Sequence, residues 1–536
     1  MRIIGESKLE LKEKLERFRK WNDTLSAYRM ALILLSVDAN DRAPMQGAEY
    51  RGKRRSILVE AYEKLRSDEE MFDIICSLYE DREHLDDDLA RELELNVKML
   101  RRERCVSPAE KAAYDQVLAR SQRMWLKAKS EADFKNYIPY LEPVVEGYKS
   151  MIAKRDSSGR SEPVMPGDAG FEAGRPEGES THKSSLYDQM LDDHQPGWNV
   201  ARYDSFFADI RSHILPVLDA IKSAPPIRDD FLHQSFPVDK QRQVMKQITD
   251  YIGFTDEWGK VGESEHPLTS PICRGDVRFT TKYREFSPVQ GVFSTVHESG
   301  HAWHAHGLDP RYEGTLIGTT ASAGLCESQS RLCENHLGRS LAFLETILPF
   351  FQKAFPARFE GIDARTLYRA ANIVRVSPIR TEADEVTYPL HIMIRYELEK
   401  EMMDGNLPVR DLEEAWNAKY QQYLGITPAN AAEGVLQDMH WPYAYFGYFP
   451  TYALGSAVAA QFFATMQQDL DVPHLLRTGH YTDLMTWLGQ KVHRYGNRYS
   501  MEEIIKKATG EDFTTSYYTT WLEEKYLKSG DLYNPM

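Results

Sequence analysis

Residues 58–78 read LVEAYEKLRSDEEMFDIICSL. Leu58, Ala61, Tyr62 and Leu65, then Met71, Ile74, Ile75 and Leu78, recur at three- and four-residue intervals among Glu, Lys and Arg. That period puts the apolar side chains on one face of a helix. The same pattern runs from Leu9 to about Glu146, resumes at Leu186, and continues through Asp230, Lys240 to Tyr251, and from beyond Glu285 through most of the remaining chain. The fold class read from it is all-α, with one exception. Gly275–Tyr283, GDVRFTTKY, alternates with a period of two and is rich in β-branched and aromatic residues, which predicts one short strand or hairpin within a small β-sheet. Between the helical tracts, 14 of the 30 residues of 156–185 are Gly, Pro or Ser, the composition of a flexible surface insertion. No fixed-period repeat is present, so a solenoid of identical units is not supported.

Composition narrows the function classes. With 66 Lys+Arg against 81 Asp+Glu the net charge is −15, which disfavours a basic nucleic-acid-binding surface. The longest apolar runs resemble Ala31–Leu35 and fall well short of the ~20 residues a membrane helix needs. The first residues, MRIIGES, lead directly into a charged helical pattern without the apolar core of a signal peptide. Cys76, Cys105, Cys273, Cys326 and Cys333 are odd in number and scattered, as free thiols in a reducing compartment would be. The expected location is the cytoplasm.

Val292–Trp303 reads VFSTVHESGHAW and contains His-Glu-x-x-His within a helical pattern. Residues four apart lie about 40° apart around a helix axis and one turn along it, so His297 and His301 can reach one ion. Val292, Phe293 and Val296 give this helix an apolar face, and Gly300 lets another backbone come close. Catalytic zinc takes three protein ligands and a water, so a third ligand is expected from another element. Ala323–Asn335, AGLCESQSRLCEN, reads as a helix ending near Gly338 and offers Glu327, Glu334 and Cys326. Spacing favours Glu327 without excluding the other two. His304 and His306 read as packing or solvated residues. Glu298, beside His297, is placed to act as general base on a zinc-bound water.

Further segments carry a resemblance. They are His266-Pro267, Asp276-x-Arg278-x-Thr280, Ile379-Arg380-x-Glu382-Ala383-Asp384-Glu385, Gln437-Asp438-x-His440-Trp441, and Phe446 to Gly455 with Tyr448 and Tyr452. Together with His297-Glu298-x-Gly300-His301 and Glu327-Ser328-Gln329-Ser330-Arg331, this ordered set resembles the carboxypeptidase Taq family of zinc metallocarboxypeptidases. The resemblance implies Glu327 as third ligand and Zn2+ as cofactor, with Co2+ or Mn2+ as possible substitutes. It also implies a two-lobed helical body around a deep groove, broad removal of C-terminal residues from peptides, and a homodimer. Because the motifs from His266 to Tyr452 must converge on one metal, residues 1–536 are expected to form a single metallocarboxypeptidase domain.

The same resemblance distributes further roles. His440 and Tyr448 are candidate donors to the tetrahedral oxyanion, with Tyr452 as the other tyrosine near the substrate. Arg380 is the candidate fork for the terminal carboxylate, with Arg375 and Arg395 as alternatives. Its bland reading is neutralisation by Glu382, Asp384 or Glu385. Asp276 and Arg278 lie on a strand that could pair with extended substrate, or they pair with each other and shape the loop. The chain departs from the family at Cys326 and Cys333, where His and Trp are usual. Small-residue repacking is one reading, and sensitivity to oxidation or thiol-reactive metals the other. The rival functions are a zinc oligopeptidase or dipeptidyl carboxypeptidase, and a non-catalytic peptide-binding scaffold.

Overall fold

The computed structural model describes residues 2–41, 43–157 and 185–533. Of the expected insertion 156–185, residues 158–184 lie outside them. The fold is 68% helical with one three-stranded sheet, the class expected from the periodicity. No helix among the described residues is long and apolar enough to cross a membrane.

The stretch 58–78 spans the end of helix Ala48–Arg66 and most of helix Glu69–Glu80. The break falls at Ser67-Asp68, where the Asp68 carboxylate accepts from Met71 N and caps the second helix. Met71, Ile74, Ile75 and Leu78 are buried, whereas Leu58, Ala61, Tyr62 and Leu65 are only half-buried on an outer helix. These helices, with Arg2–Asp41 and Asp87–Glu103, enclose a small apolar cluster of their own that includes Trp21, Leu25, Ile75, Leu78, Leu93 and Val97. Nearly all the other buried apolar residues form a second, much larger cluster running from Tyr114 to Leu532.

Polar contacts help join the two. Arg102 pairs with Asp193 at 2.8 Å and Arg498 with Asp88 at 2.5 Å. Glu92, 5% exposed, accepts from Leu316 N and Ile317 N, each at 2.9 Å. Glu92→Ala leaves both amides without their acceptor, which costs about 1–3 kcal/mol locally. Hydrogen exchange at Leu316 and Ile317 should quicken by roughly 5- to 150-fold. Unchanged exchange there would show that the carboxylate contributes nothing to the join.

The sheet comprises β1 (Gly259–Glu263), β2 (Thr269–Cys273) and β3 (Asp276–Thr281), in the order β1-β3-β2. β3 runs parallel to β1 and antiparallel to β2, with Thr269 opposite Phe279 and Ser270 opposite Arg278. Val277, Phe279 and Thr281 point into the core, which is why this strand alone was legible as an alternation. Its central position corrects one expectation. Both edges of β3 are occupied, so its backbone cannot take an added strand, and Arg278 Nε and Nη2 bind the Asp276 carboxylate at 2.9 and 2.8 Å. Asp276 and Arg278 therefore pair with each other, the alternative read from the sequence, and an added strand on β3 is excluded. β2 is an edge strand, and it tolerates Pro271 for that reason.

Candidate metal centre and substrate cavity

Helix Pro288–His306 buries Val292, Phe293 and Val296 and turns His297 and His301 to one side. Helix Ala323–Arg331, capped by the Ser322 hydroxyl on Leu325 N, packs against it at Gly300. A Cβ at Gly300 would lie 2.5 Å from Gln329 O and 2.7 Å from Ser330 Cα, so only glycine allows this approach. Helix Pro450–Asp469 closes on the other side at Gly455, where a Cβ would lie 2.7 Å from Glu327 Cβ. Glu327 is thus fixed between two helices.

The result is a three-residue cluster. One ligand atom from each of His297, His301 and Glu327 lies within 4.8 Å of the others. Glu327 Oε2 stands 3.9 Å from His297 Nε2 and 3.7 Å from His301 Nε2. Two nitrogens and a carboxylate oxygen are the donor set of a catalytic divalent ion, zinc foremost, so the residues present fit such a metal. Glu334 takes a different part from the competing ligand that spacing allowed. It lies on a π-helical turn, Leu332–Gly338, and accepts from His297 Nδ1 at 3.0 Å, leaving Nε2 for the metal. Arg331 bridges the two acids, with Nε 2.6 Å from Glu327 Oε1 and Nη1 3.3 Å from Glu334 Oε2, while its guanidinium lies 4.1 Å above the Tyr388 ring.

Burial and neighbours set the charges. Burial works against the Glu327 carboxylate, yet Arg331, His297 and His301 hold its pKa below the ordinary range. For Glu298 burial prevails and lifts the pKa, against the pull of His297 and Thr269. The Thr269 hydroxyl on β2 donates to Glu298 Oε2 at 2.6 Å and fixes the carboxylate. Nothing in the sequence pointed to Thr269, since no helical or strand period relates it to Glu298.

These groups line a cavity of about 1670 Å³. Tyr448, Tyr452 and Arg380 also face it, whereas His440 does not. His440, expected at the reacting centre, is buried behind the tyrosines with Nε2 3.1 Å from the Tyr452 hydroxyl and its ring against Phe449. Burial pulls its pKa down to about 3, so it meets Tyr452 as a neutral imidazole. Arg380 is paired with none of the three acids considered from sequence. Glu382 pairs with Arg284, Asp384 caps the amides of Val386 and Thr387, and Glu385 takes Lys525 and Trp521. Instead, Arg380 Nε and Nη2 both bind Asp438 Oδ1, at 2.9 and 2.8 Å, and Nη1 reaches Tyr388 Oη at 3.2 Å. Arg375 is exposed and bound to Asp229, and Arg395 is fully buried.

The cysteines separate. Cys326 lines the cavity with Sγ 3.3 Å from His301 Nδ1, whereas Cys333 is buried on the π turn. Burial pushes both thiols up to about 12, leaving little thiolate for oxidants to attack, which favours the packing reading.

Comparison with known proteins identifies the family. Residues 17–163 and 172–526 match the family Carboxypeptidase Taq (M32) metallopeptidase. Carboxypeptidase 1 of Bacillus subtilis is 35% identical over 504 residues, covering 94% of this chain and 96% of that protein. Thermostable carboxypeptidase 1 of Thermus thermophilus is 33% identical over 509 residues, covering 94% of this chain and 96% of that protein. Among solved structures, the M32 carboxypeptidase from Deinococcus radiodurans superposes with a TM-score of 0.88 at 29% identity, over 98% of this chain and 100% of that one. On the strength of these matches along nearly its whole length, the chain belongs to the carboxypeptidase Taq family of metallopeptidases and is a metallocarboxypeptidase.

Proposed function

We propose that the protein is a zinc-dependent exopeptidase that removes single residues of broad type from free peptide C-termini. The observation that carries the reading is the meeting, in one cavity, of the His297, His301 and Glu327 cluster, the Glu298 carboxylate and the Arg380 guanidinium. When bound, the ion supplies Lewis acidity for the scissile carbonyl and acidifies the attacking water. Glu298, held by Thr269, takes the proton from that water and passes it to the leaving amine, and its raised pKa suits both transfers. The Tyr448 and Tyr452 hydroxyls stay protonated because burial raises their pKa values, so they serve as donors to the developing oxyanion. His440 fixes the second of these hydroxyls. The edge strand β2, with Thr269, Pro271 and Cys273 on the cavity wall, takes the role of substrate support first read into β3.

Arg380 retains N–H groups beyond those given to Asp438 and Tyr388, and its fork matches a terminal carboxylate. One peptide supplied as free acid and as C-terminal amide tests this. The acid should be cleaved with kcat/KM roughly 10- to 150-fold above the amide, the worth of a hydrogen bond to a charged group. Arg380→Ala should abolish the preference. Equal rates on both forms of the peptide would favour the oligopeptidase reading, and release of dipeptides would favour the dipeptidyl one.

A further inference from the structure

Behind Arg380 lies a second guanidinium that never reaches the cavity. Arg395 is 0% exposed, with Nε 2.6 Å from Asp438 Oδ2 and Nη1 2.8 Å from His391 O and 3.2 Å from Tyr420 Oη. Its plane lies 4.5 Å over the Trp416 ring, and its Nη2 has no partner. Asp438 is thus divided: Oδ1 serves Arg380 and Oδ2 serves Arg395. Among the described residues Asp438 is the only carboxylate paired with either arginine. The buried Glu399 accepts instead from Tyr187, Trp441 and Gly447, and burial raises its pKa to about 7. Lys129 adds a further cation nearby, bound to Gln437 O at 2.7 Å.

A lone Arg380–Asp438 pair would be neutral and would have little reason to draw an anion. Two guanidiniums sharing one carboxylate leave an excess positive charge in a buried place, which is unfavourable until an anion arrives. Of the two guanidiniums only Arg380 opens to the cavity, where Asp438 and Lys129 also line the wall, so the excess is delivered there. We infer that Arg395 is a specificity-determining positioning residue: by occupying half of Asp438 it keeps Arg380 from being neutralised, and so reserves the cavity end for a substrate carboxylate. The inference rests on the Arg380 reading above.

The test uses the full chain with zinc, and the same peptide as free acid and as amide. Arg395→Met packs against Trp416 without charge, Arg395→Gln keeps a donor toward Asp438 without charge, and Arg395→Lys keeps the charge. In both neutral variants the acid-over-amide ratio of kcat/KM should fall at least tenfold. The loss should come from a raised KM for the acid, with the amide rate unchanged. Arg395→Lys should stay within about threefold of the parent ratio, since charge decides the effect. A ratio kept in Arg395→Gln, or lost equally in the Gln and Lys variants, would overturn the inference by making the role one of packing. If Arg380→Ala leaves the parent ratio intact, the clamp reading fails and this inference with it. If Arg380→Ala removes the ratio and the neutral Arg395 variants do not, this inference alone fails.

Discussion

Glu298→Gln is expected to lower kcat by roughly 10²- to 10⁴-fold while metal content stays at the parent level. The amide keeps the size of the carboxylate and can still meet the Thr269 hydroxyl, so the helix and its two histidines need not move. What it cannot do is accept a proton, and both transfers proposed for this residue stop. Metal analysis of the purified variant, with single-turnover kinetics on a free-acid peptide, separates chemistry from binding. Full activity in a variant that retains its metal would remove Glu298 from the mechanism and point to another base in the cavity.

A second large effect should follow from Gly300→Val. The valine Cβ would sit within 2.5 Å of a backbone oxygen on the helix that carries Glu327, and backbone cannot swing aside as a side-chain tip can. Overpacking of this kind costs about 1–3 kcal/mol or more, and here the strain is relieved by parting the two ligand-bearing helices. The metal dissociation constant should rise by at least the roughly 10- to 100-fold seen when a ligand loses its supporting contact. Competition against a chelator measures that constant directly, and melting in excess chelator reports the packing penalty without the metal. A variant with lowered apo stability and unchanged metal affinity would show that the helices part elsewhere.

How much of this was legible in the sequence depends on whether the signal is local. The helices follow from the recurrence seen at Leu58 to Leu78, because burial of one face imposes a period. β3 was readable because Val277 and Phe279 alternate with Asp276 and Arg278. β1 and β2 carry Gly259, Gly262 and Pro271 in place of alternation, and only pairing with β3 makes them strands. At the site, His297, Glu298 and His301 come from one helical turn and were visible in spacing. Glu327 and Glu334 were not separable that way. What divides their tasks is a π turn that begins at Leu332, and no residue pattern announces it. Arg331, four residues after Glu327, was within reach of the i,i+4 rule, although the motif that contains it gave it no role of its own. Thr269 on Glu298 and Arg395 on Asp438 join residues 29 and 43 positions apart, and only the fold brings them together.

The division of the buried apolar residues into two clusters bears on how this molecule comes apart. Helix Arg2–Asp41 belongs to the smaller cluster, yet its Asp23, Arg29 and Met30 line the cavity. One wall of the catalytic chamber is therefore held by a core that shares no buried apolar side chain with the core beneath the metal. Among the described residues, polar contacts such as those of Glu92 and Arg102 link the two. A melting curve for this chain is therefore expected to show two units rather than one transition with one free energy. The wall can loosen, and the chamber stand open to water, at temperatures where His297, His301 and Glu327 are still in place.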